Sequence, residues 1–328
     1  MVSCFFVSTN NRSALSAFQL IDPVSTQHQE ISTLKSLIEN GDRKSLARAI
    51  TMVENEMEGS ELLLKQLKTN EIPVIGFTGP PGAGKSTLIN SFLRHLISNS
   101  KKAAIIAVDP TSPFNFGSLL ADRIRMTEHF NNENIFIRSV ATRGSLGGLS
   151  EKIIEITDVL RSSDFDYIII ETVGVGQSEV EIAGLADTTV VVVVPESGDE
   201  IQTMKSGIME IADIFVINKS DRDGADALAS NLKKILVQKD DKGWVVPVIG
   251  TIATTDRGIN ELYENVKLHR QSEKFNLNKI FLLTEKAFHL IRSHRMKGML
   301  RQDIKRKLER AIQETNFNLY RFVEELKN

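Results

Sequence analysis

With 328 residues, 41% of them apolar, the chain is long enough to bury a large core, and the usual ~100 to 200 residues per domain fits one large domain with appendages. A formal net charge of −2 excludes the global positive field that draws nucleic acid or an anionic membrane, so neither is expected as a partner. The single cysteine, Cys4, excludes an internal disulfide and a cysteine-based zinc cluster, and fits a reducing, cytoplasmic setting.

Residues 1–10 hold no basic stretch, and the apolar run 4–7 is too short for a signal peptide or a membrane span, so residues 1–30 read as a mobile arm. Ile31, Leu34 and Ile38, then Leu46, Ile50, Val53 and Met57, keep helical spacing around the turn Asn40-Gly41-Asp42. That predicts a helical hairpin as an N-terminal extension over 31–70. Short β-branched runs follow at 74–78, 103–108, 135–140, 167–171, 188–194, 214–218 and 245–251, with amphipathic segments between them. Near-continuous apolar strands separated by helices predict an α/β fold over 71–270, a mostly parallel sheet with helices on both faces. Beyond 270, Ile280, Leu283, Ala287 and Leu290, then Ile304, Leu308, Ile312, Leu319, Phe322 and Leu326, return to helical spacing. The tail 271–328 is therefore a helical arm, and its apolar faces exceed what so short a segment can bury, which predicts a homodimer. Its eight Lys or Arg between 292 and 310 read as a solvated face in the first place and an anion-binding stripe in the second.

The chemistry starts at Gly79-Pro80-Pro81-Gly82-Ala83-Gly84-Lys85-Ser86, between the strand 74–78 and the helical run that opens at Thr87. In that setting a Gly-x4-Gly-Lys-Ser stretch is a phosphate loop of the P-loop NTPase kind. Backbone N–H groups from Gly79 to Thr87 curl around the β-phosphate, Lys85 reaches the β- and γ-phosphates, and Ser86 offers a hydroxyl to Mg²⁺. Asp109 and Glu171 close two strands at the end where open parallel sheets bind ligands, so both are candidate Mg²⁺ acids, direct or through water.

Asn218-Lys219-Ser220-Asp221 closes a further strand. A carboxylate at Asp221 can accept from the guanine N1–H and 2-amino group, which adenine lacks, so GTP and GDP are the expected ligands. Asn218 would tie this loop to the phosphate loop, the stem of Lys219 would lie along the base, and Ala253 would offer its N–H to guanine O6. Dimerising ATPases of related fold place an extra lysine early in the phosphate loop, where this chain has Pro80-Pro81.

Several further motifs carry a resemblance: Gly41-Asp42-Arg43-Lys44 with Leu46-Ala47-Arg48-Ala49-Ile50, Val108-Asp109-Pro110, Ala121-Asp122-Arg123-Ile124-Arg125-Met126, Glu171-Thr172-Val173-Gly174-Val175-Gly176-Gln177-Ser178-Glu179, and Gly198-Asp199-Glu200-Ile201-Gln202 with Lys205 and Gly207. From about Gly41 to His269 the chain resembles the MeaB/ArgK-type G proteins, which include chaperones of adenosylcobalamin-dependent methylmalonyl-CoA mutase. The resemblance implies that Asp109 and Asp122 form a first switch near Mg²⁺, Glu171 and Gly174 a second, and residues 195–207 a third that faces the mutase, with Gln202 and Lys205 responding to nucleotide state. It also implies an N-terminal helical extension, a C-terminal dimerisation arm, and a role in loading adenosylcobalamin into an acyl-CoA mutase and in protecting or rescuing that enzyme.

Ras-like enzymes orient the attacking water with a glutamine directly after the second-switch glycine. Here Val175 holds that position, which predicts slow intrinsic hydrolysis; Gln177 is either the substitute or a cap of the following helix. Two other classes stay open: a metallochaperone GTPase, although the six histidines are scattered, and a kinase acting on a transport protein, although no protein-kinase catalytic loop appears.

Overall fold

The computed structural model describes residues 23–109, 126–141, 152–172, 182–197, 208–236 and 243–272, and in the C-terminal part 280, 283–288, 290–292, 295–296, 301–313 and 317–327. The chain divides into two compact units, residues 1–275 and 276–328.

Among the described residues of the first unit seven strands form one sheet: β1 (Val74–Thr78), β2 (Ala103–Asp109), β3 (Ile135–Ala141), β4 (Tyr167–Glu171), β5 (Thr188–Val193), β6 (Ile214–Asn218) and β7 (Val248–Thr251). Their order is β3-β2-β4-β1-β5-β6-β7, and every neighbouring pair is parallel. β7 starts three residues later than the apolar run suggested, because Val245 is 70% exposed and Pro247 has no N–H for a ladder.

The apolar strands are buried on both faces. Ile75, Phe77, Ile105, Ile169, Val190 and Val192 point to one side, where α4 (Lys85–Ser98) and α8 (Ile259–Arg270) cover them. Val74, Ala104, Ile106, Ile168 and Ile170 point to the other, where α5 (Ile153–Arg161) lies, while α6 (Ile208–Ile211) and α7 (Ala225–Leu236) pack on Val191, Val193, Phe215 and Ile217. This period of two with both faces apolar is what a parallel sheet inside two helical layers requires.

The N-terminal extension has three helices, not two: α1 (Pro23–Glu39), α2 (Arg43–Glu54) and α3 (Ser60–Gln66). α1 begins inside the stretch assigned to the arm, with Pro23 in the first turn, where a missing N–H costs nothing. Ile31, Leu34, Ile38, Leu46, Ala49 and Ile50 join the same core as α5 and the sheet. The Gly41-Asp42-Arg43 run serves that docking. Gly41 takes a left-handed turn, Asp42 accepts from the Ser45 N–H at 2.7 Å as the cap of α2, and Arg43 donates to the carbonyls of Glu133 and Ile135 with its guanidinium 5.6 Å over the Phe165 ring. The Ser45 bond holds the Asp42 carboxyl below its usual range, and burial pulls Arg43 below its own.

An aspartate stands directly before each of β4, β5 and β6. The Asp166 carboxylate accepts from the Lys102 N–H at 2.8 Å, Asp187 from Val74 N–H at 2.8 Å and Asp213 from Thr189 N–H at 2.9 Å. Each aspartate N–H is returned to the carbonyl of the same partner, at 2.9, 2.8 and 2.9 Å. The side chain thus completes a two-bond exchange where the parallel ladder would otherwise leave an N–H without a partner. Asp187 also pairs with Arg161 at 2.8 Å, and Asp166 with Lys101 at 3.0 Å. Asp213 faces the buried His269 at 3.3 Å, and its carbonyl accepts from Trp244 Nε1 at 2.9 Å, the indole lying edge-on 5.0 Å from the imidazole.

In the second unit α9 (Arg301–Ala311) and α10 (Leu319–Lys327) are helical, as are 283–288. Phe322 is buried against Phe317, ring centroids 6.3 Å apart, whereas Ile280, Phe288, Leu319 and Tyr320 are exposed. Two of the basic side chains of α9 are tied locally, Arg306 to Asp303 and Lys305 to Glu309. Among the described residues no helix is long and apolar enough to cross a membrane.

Candidate nucleotide site

β1 is central, and its carboxyl end opens directly into the glycine-rich loop and α4. Gly79, at φ +138°, passes so close to β5 that an added Cβ would lie 2.0 Å from the Val192 carbonyl oxygen. Only glycine allows that approach. Gly84 caps α4 at φ +83°, and a Cβ there would meet Asn218 Nδ2 at 2.5 Å. The two loops therefore interlock through the absence of a side chain.

Lys85 is buried, and its ammonium donates to the carbonyls of Gly79 at 2.8 Å and Pro80 at 3.1 Å. The lysine is folded over its own loop, where phosphate oxygens would compete for the same protons. Pro81, Gly82 and Thr87 are exposed along the loop and the first turn of α4, and Ala83 is buried beneath. Ser86 Oγ donates to Glu171 Oε1 at 2.7 Å. β4 lies beside β1 with Glu171 level with Phe77, so a hydroxyl and a carboxylate meet at the mouth of the loop, both buried. Two hard oxygen donors beside a phosphate cradle suit Mg²⁺, which takes few protein ligands and completes its shell with water and phosphate. Among the described residues no group of three His, Cys, Asp or Glu could hold a metal by itself. The backbone of Asp109 ends β2 two residues past Ala107, the register partner of Glu171. The side chain of Asp109, and Asp122, Gly174, Gln177, Gln202 and Lys205 altogether, lie outside the described residues.

The base end is equally connected. Asn218, buried at the end of β6, donates from Nδ2 to the Ala83 carbonyl at 3.0 Å and accepts at Oδ1 from Thr251 Oγ1 at 3.2 Å and Ala253 N–H at 3.3 Å. The Ala253 N–H expected at guanine O6 is thus shared with Asn218, through a bond at the long end of the range. Lys219, held at φ +56°, reaches back to the Gly82 carbonyl at 2.9 Å, so its stem spans the gap between the loops. The Ser220 N–H donates to the Thr251 carbonyl at 3.0 Å, and Asp221 is exposed just beyond. Arg222 pairs with Glu196, which holds that carboxyl below its usual range.

Residues that motif reading does not single out complete the assembly. Ser91 and Arg94 on α4 both bind Asp256, which follows the 3-10 turn Ala253–Thr255, and Arg94 also binds Glu128 at 2.8 Å. The only signal in the sequence is Ser91, a polar residue on the buried face of a helix, and its partner lies 165 positions away.

Comparison with known proteins agrees with this geometry. Residues 46–302 match the family described as methylmalonyl Co-A mutase-associated GTPase MeaB. A putative GTPase of Pyrococcus abyssi is 47% identical over 247 residues, covering 74% of this chain and 76% of that protein. The GTPase ArgK of Escherichia coli is 39% identical over 241 residues, 70% of this chain and 72% of its own. The mitochondrial methylmalonic aciduria type A homolog of Mus musculus is 37% identical over 250 residues, 69% of this chain and 60% of its own. Among solved structures, one titled LAO/AO transport system kinase covers 94% of this chain and 98% of its own at 26% identity, with a TM-score of 0.65. The interlocked phosphate and base loops on a parallel sheet, together with these matches, place the chain in the MeaB/ArgK family of P-loop GTPases.

Proposed function

We propose that the chain is a Mg²⁺-dependent, guanine-specific GTPase whose nucleotide state gates the loading of adenosylcobalamin into an acyl-CoA mutase, methylmalonyl-CoA mutase by default, and the protection or rescue of that mutase. The observation that carries the nucleotide half is Asn218, which bonds the phosphate loop on one side and the base loop on the other. The mutase half rests on the family description and on the printed name of the mouse relative.

With nucleotide bound, the Lys85 ammonium would turn from the Gly79 and Pro80 carbonyls to β- and γ-phosphate oxygens, and Ser86 and Glu171, with Asp109 and Asp122 as further acids, would be the residues that hold Mg²⁺. The chemistry supplied by the bound metal is neutralisation of charge developing on the phosphates. Asp221 accepts from the guanine N1–H and 2-amino group. Val175 in place of a water-orienting glutamine makes intrinsic turnover slow, with Gln177 or a group from the partner completing the site. Gly174 and the segment with Gln202 and Lys205 transmit the presence of the γ-phosphate to the partner. The arm 271–328 holds two copies together, and removing it should turn a dimer into a monomer in light scattering.

The deciding experiment is steady-state GTP turnover with Mg²⁺, alone and with an adenosylcobalamin-dependent mutase, with ATP as control. A low basal GTP rate raised severalfold by the mutase supports the reading. A fast basal rate, or equal use of ATP, overturns it.

A further inference from the structure

The base loop is held from a direction that the family motifs do not mark. Residues 252–257 form a closed turn: the Ile252 N–H donates to the Arg257 carbonyl at 3.1 Å, and the Thr255 N–H to the Ile252 carbonyl at 3.0 Å. Its last corner is Asp256 at φ +58°, a left-handed conformation unfavourable for a residue with a Cβ unless something fixes it. Two donors from α4 do so. The fully buried Ser91 hydroxyl donates to Oδ1 at 2.5 Å, and the Arg94 guanidinium forks onto both carboxylate oxygens while its other arm binds Glu128. Arg94 holds the Asp256 carboxyl below its ordinary range, and Asp256 in turn raises the guanidinium.

These donors lie on the helix that begins with Lys85 and Ser86, so one rigid element carries the phosphate ligands at its start and the support of the base loop two turns later. We infer that the Ser91–Arg94–Asp256 clamp sets the position of the Ala253 turn against guanine O6, making Asp256 and Arg94 positioning residues for base selectivity. The inference rests on the guanine reading above and goes beyond it by naming what aims the O6 donor.

The test compares the full-length protein with Asp256→Ala, Asp256→Asn and Arg94→Ala in titrations with two probes. One is GDP; the other is the diphosphate of 2-aminopurine riboside, which keeps the 2-amino group and lacks both O6 and the N1–H, so each probe is read as the ratio of variant to wild-type affinity. The partners are 39 to 52% exposed, which limits the effect, so Asp256→Ala and Arg94→Ala should weaken GDP about two- to fivefold. Binding of the 2-aminopurine probe should stay unchanged. Asp256→Asn, which keeps the Ser91 bond, should fall in between. In turnover, KM for GTP should rise with kcat within about twofold.

Equal weakening of both probes, or no weakening of either, overturns the clamp. Arg94→Ala removes a half-exposed group and keeps the test open should Asp256→Ala misfold. Wild-type protein that fails to bind GDP overturns the guanine reading and the clamp with it, whereas normal wild-type binding with unaffected variants overturns the clamp alone.

Discussion

Where β1, β6 and β7 run out, the chain turns through glycines and left-handed corners; Lys85 folds over its own loop onto Gly79 and Pro80, and other side chains reach across to neighbouring loops: Asn218 to Ala83, Lys219 to Gly82, Arg94 to Asp256. Where β1, β2 and β5 begin, the bonds are paired exchanges between an aspartate and a single residue at the start of the adjacent strand. The first end keeps polar groups that a nucleotide can recruit, and the second leaves few to recruit. A side chain at the carboxyl end should therefore be dispensable for folding and essential for chemistry, and one at the amino end the reverse.

The largest expected break in that contrast is Lys85→Ala. Loss of a donor aimed at the transferring phosphoryl group should lower GTP turnover by about 10²- to 10³-fold, without lowering the melting temperature; turnover within threefold of wild type would remove Lys85 from the chemistry. Asp221→Ala comes next. Two hydrogen bonds to a carboxylate lost on binding should cost about 10- to 100-fold in GDP affinity and little in ATP affinity, as read by calorimetry.

Asp187→Ala probes the opposite end. It deprives the Val74 N–H and Arg161 of a largely buried partner, for about 1–3 kcal/mol of stability, while GDP affinity should stay level in chemical denaturation and binding run side by side. A fall in affinity matching the fall in stability would dissolve the distinction between the ends. Lys101→Ala sharpens it at the small limit. Its pair with Asp166 is 35 to 39% exposed, so the loss should be about 0.2–1 kcal/mol at low salt and vanish as salt is added. Asp166 raises the Lys101 pKa, so this contribution is complete below the ordinary lysine value and disappears as pH rises through the higher folded one.

The sequence announced its strands and phosphate loop well, for a reason visible in the structure. A strand buried on both faces has no polar position to blur its pattern, as in 168–170 and 190–193. It announced the aspartates poorly. Asp166, Asp187 and Asp213 each look like an ordinary turn residue, because the N–H they satisfy belongs to another strand. Helix α3 went unread because seven residues give barely two turns of periodicity, and the start of α1 because Pro23 reads as a breaker when it stands at a first turn. Of the residues the structure brings together here, Gly79, Lys85, Ser86 and Asn218 could be named from fixed spacing, while Ser91, Arg94 and Asp256 could not, since a contact across 162 to 165 positions leaves no local mark.

Trp244 is the only tryptophan in the chain, and it sits at the amino end of the sheet, hydrogen-bonded to Asp213 and edge-on to His269. Intrinsic fluorescence excited at the indole band is therefore a built-in gauge of whether the sheet is assembled, blind to whether its far rim holds a ligand. A change in emission on adding nucleotide would report a rearrangement that crosses the full length of the strands.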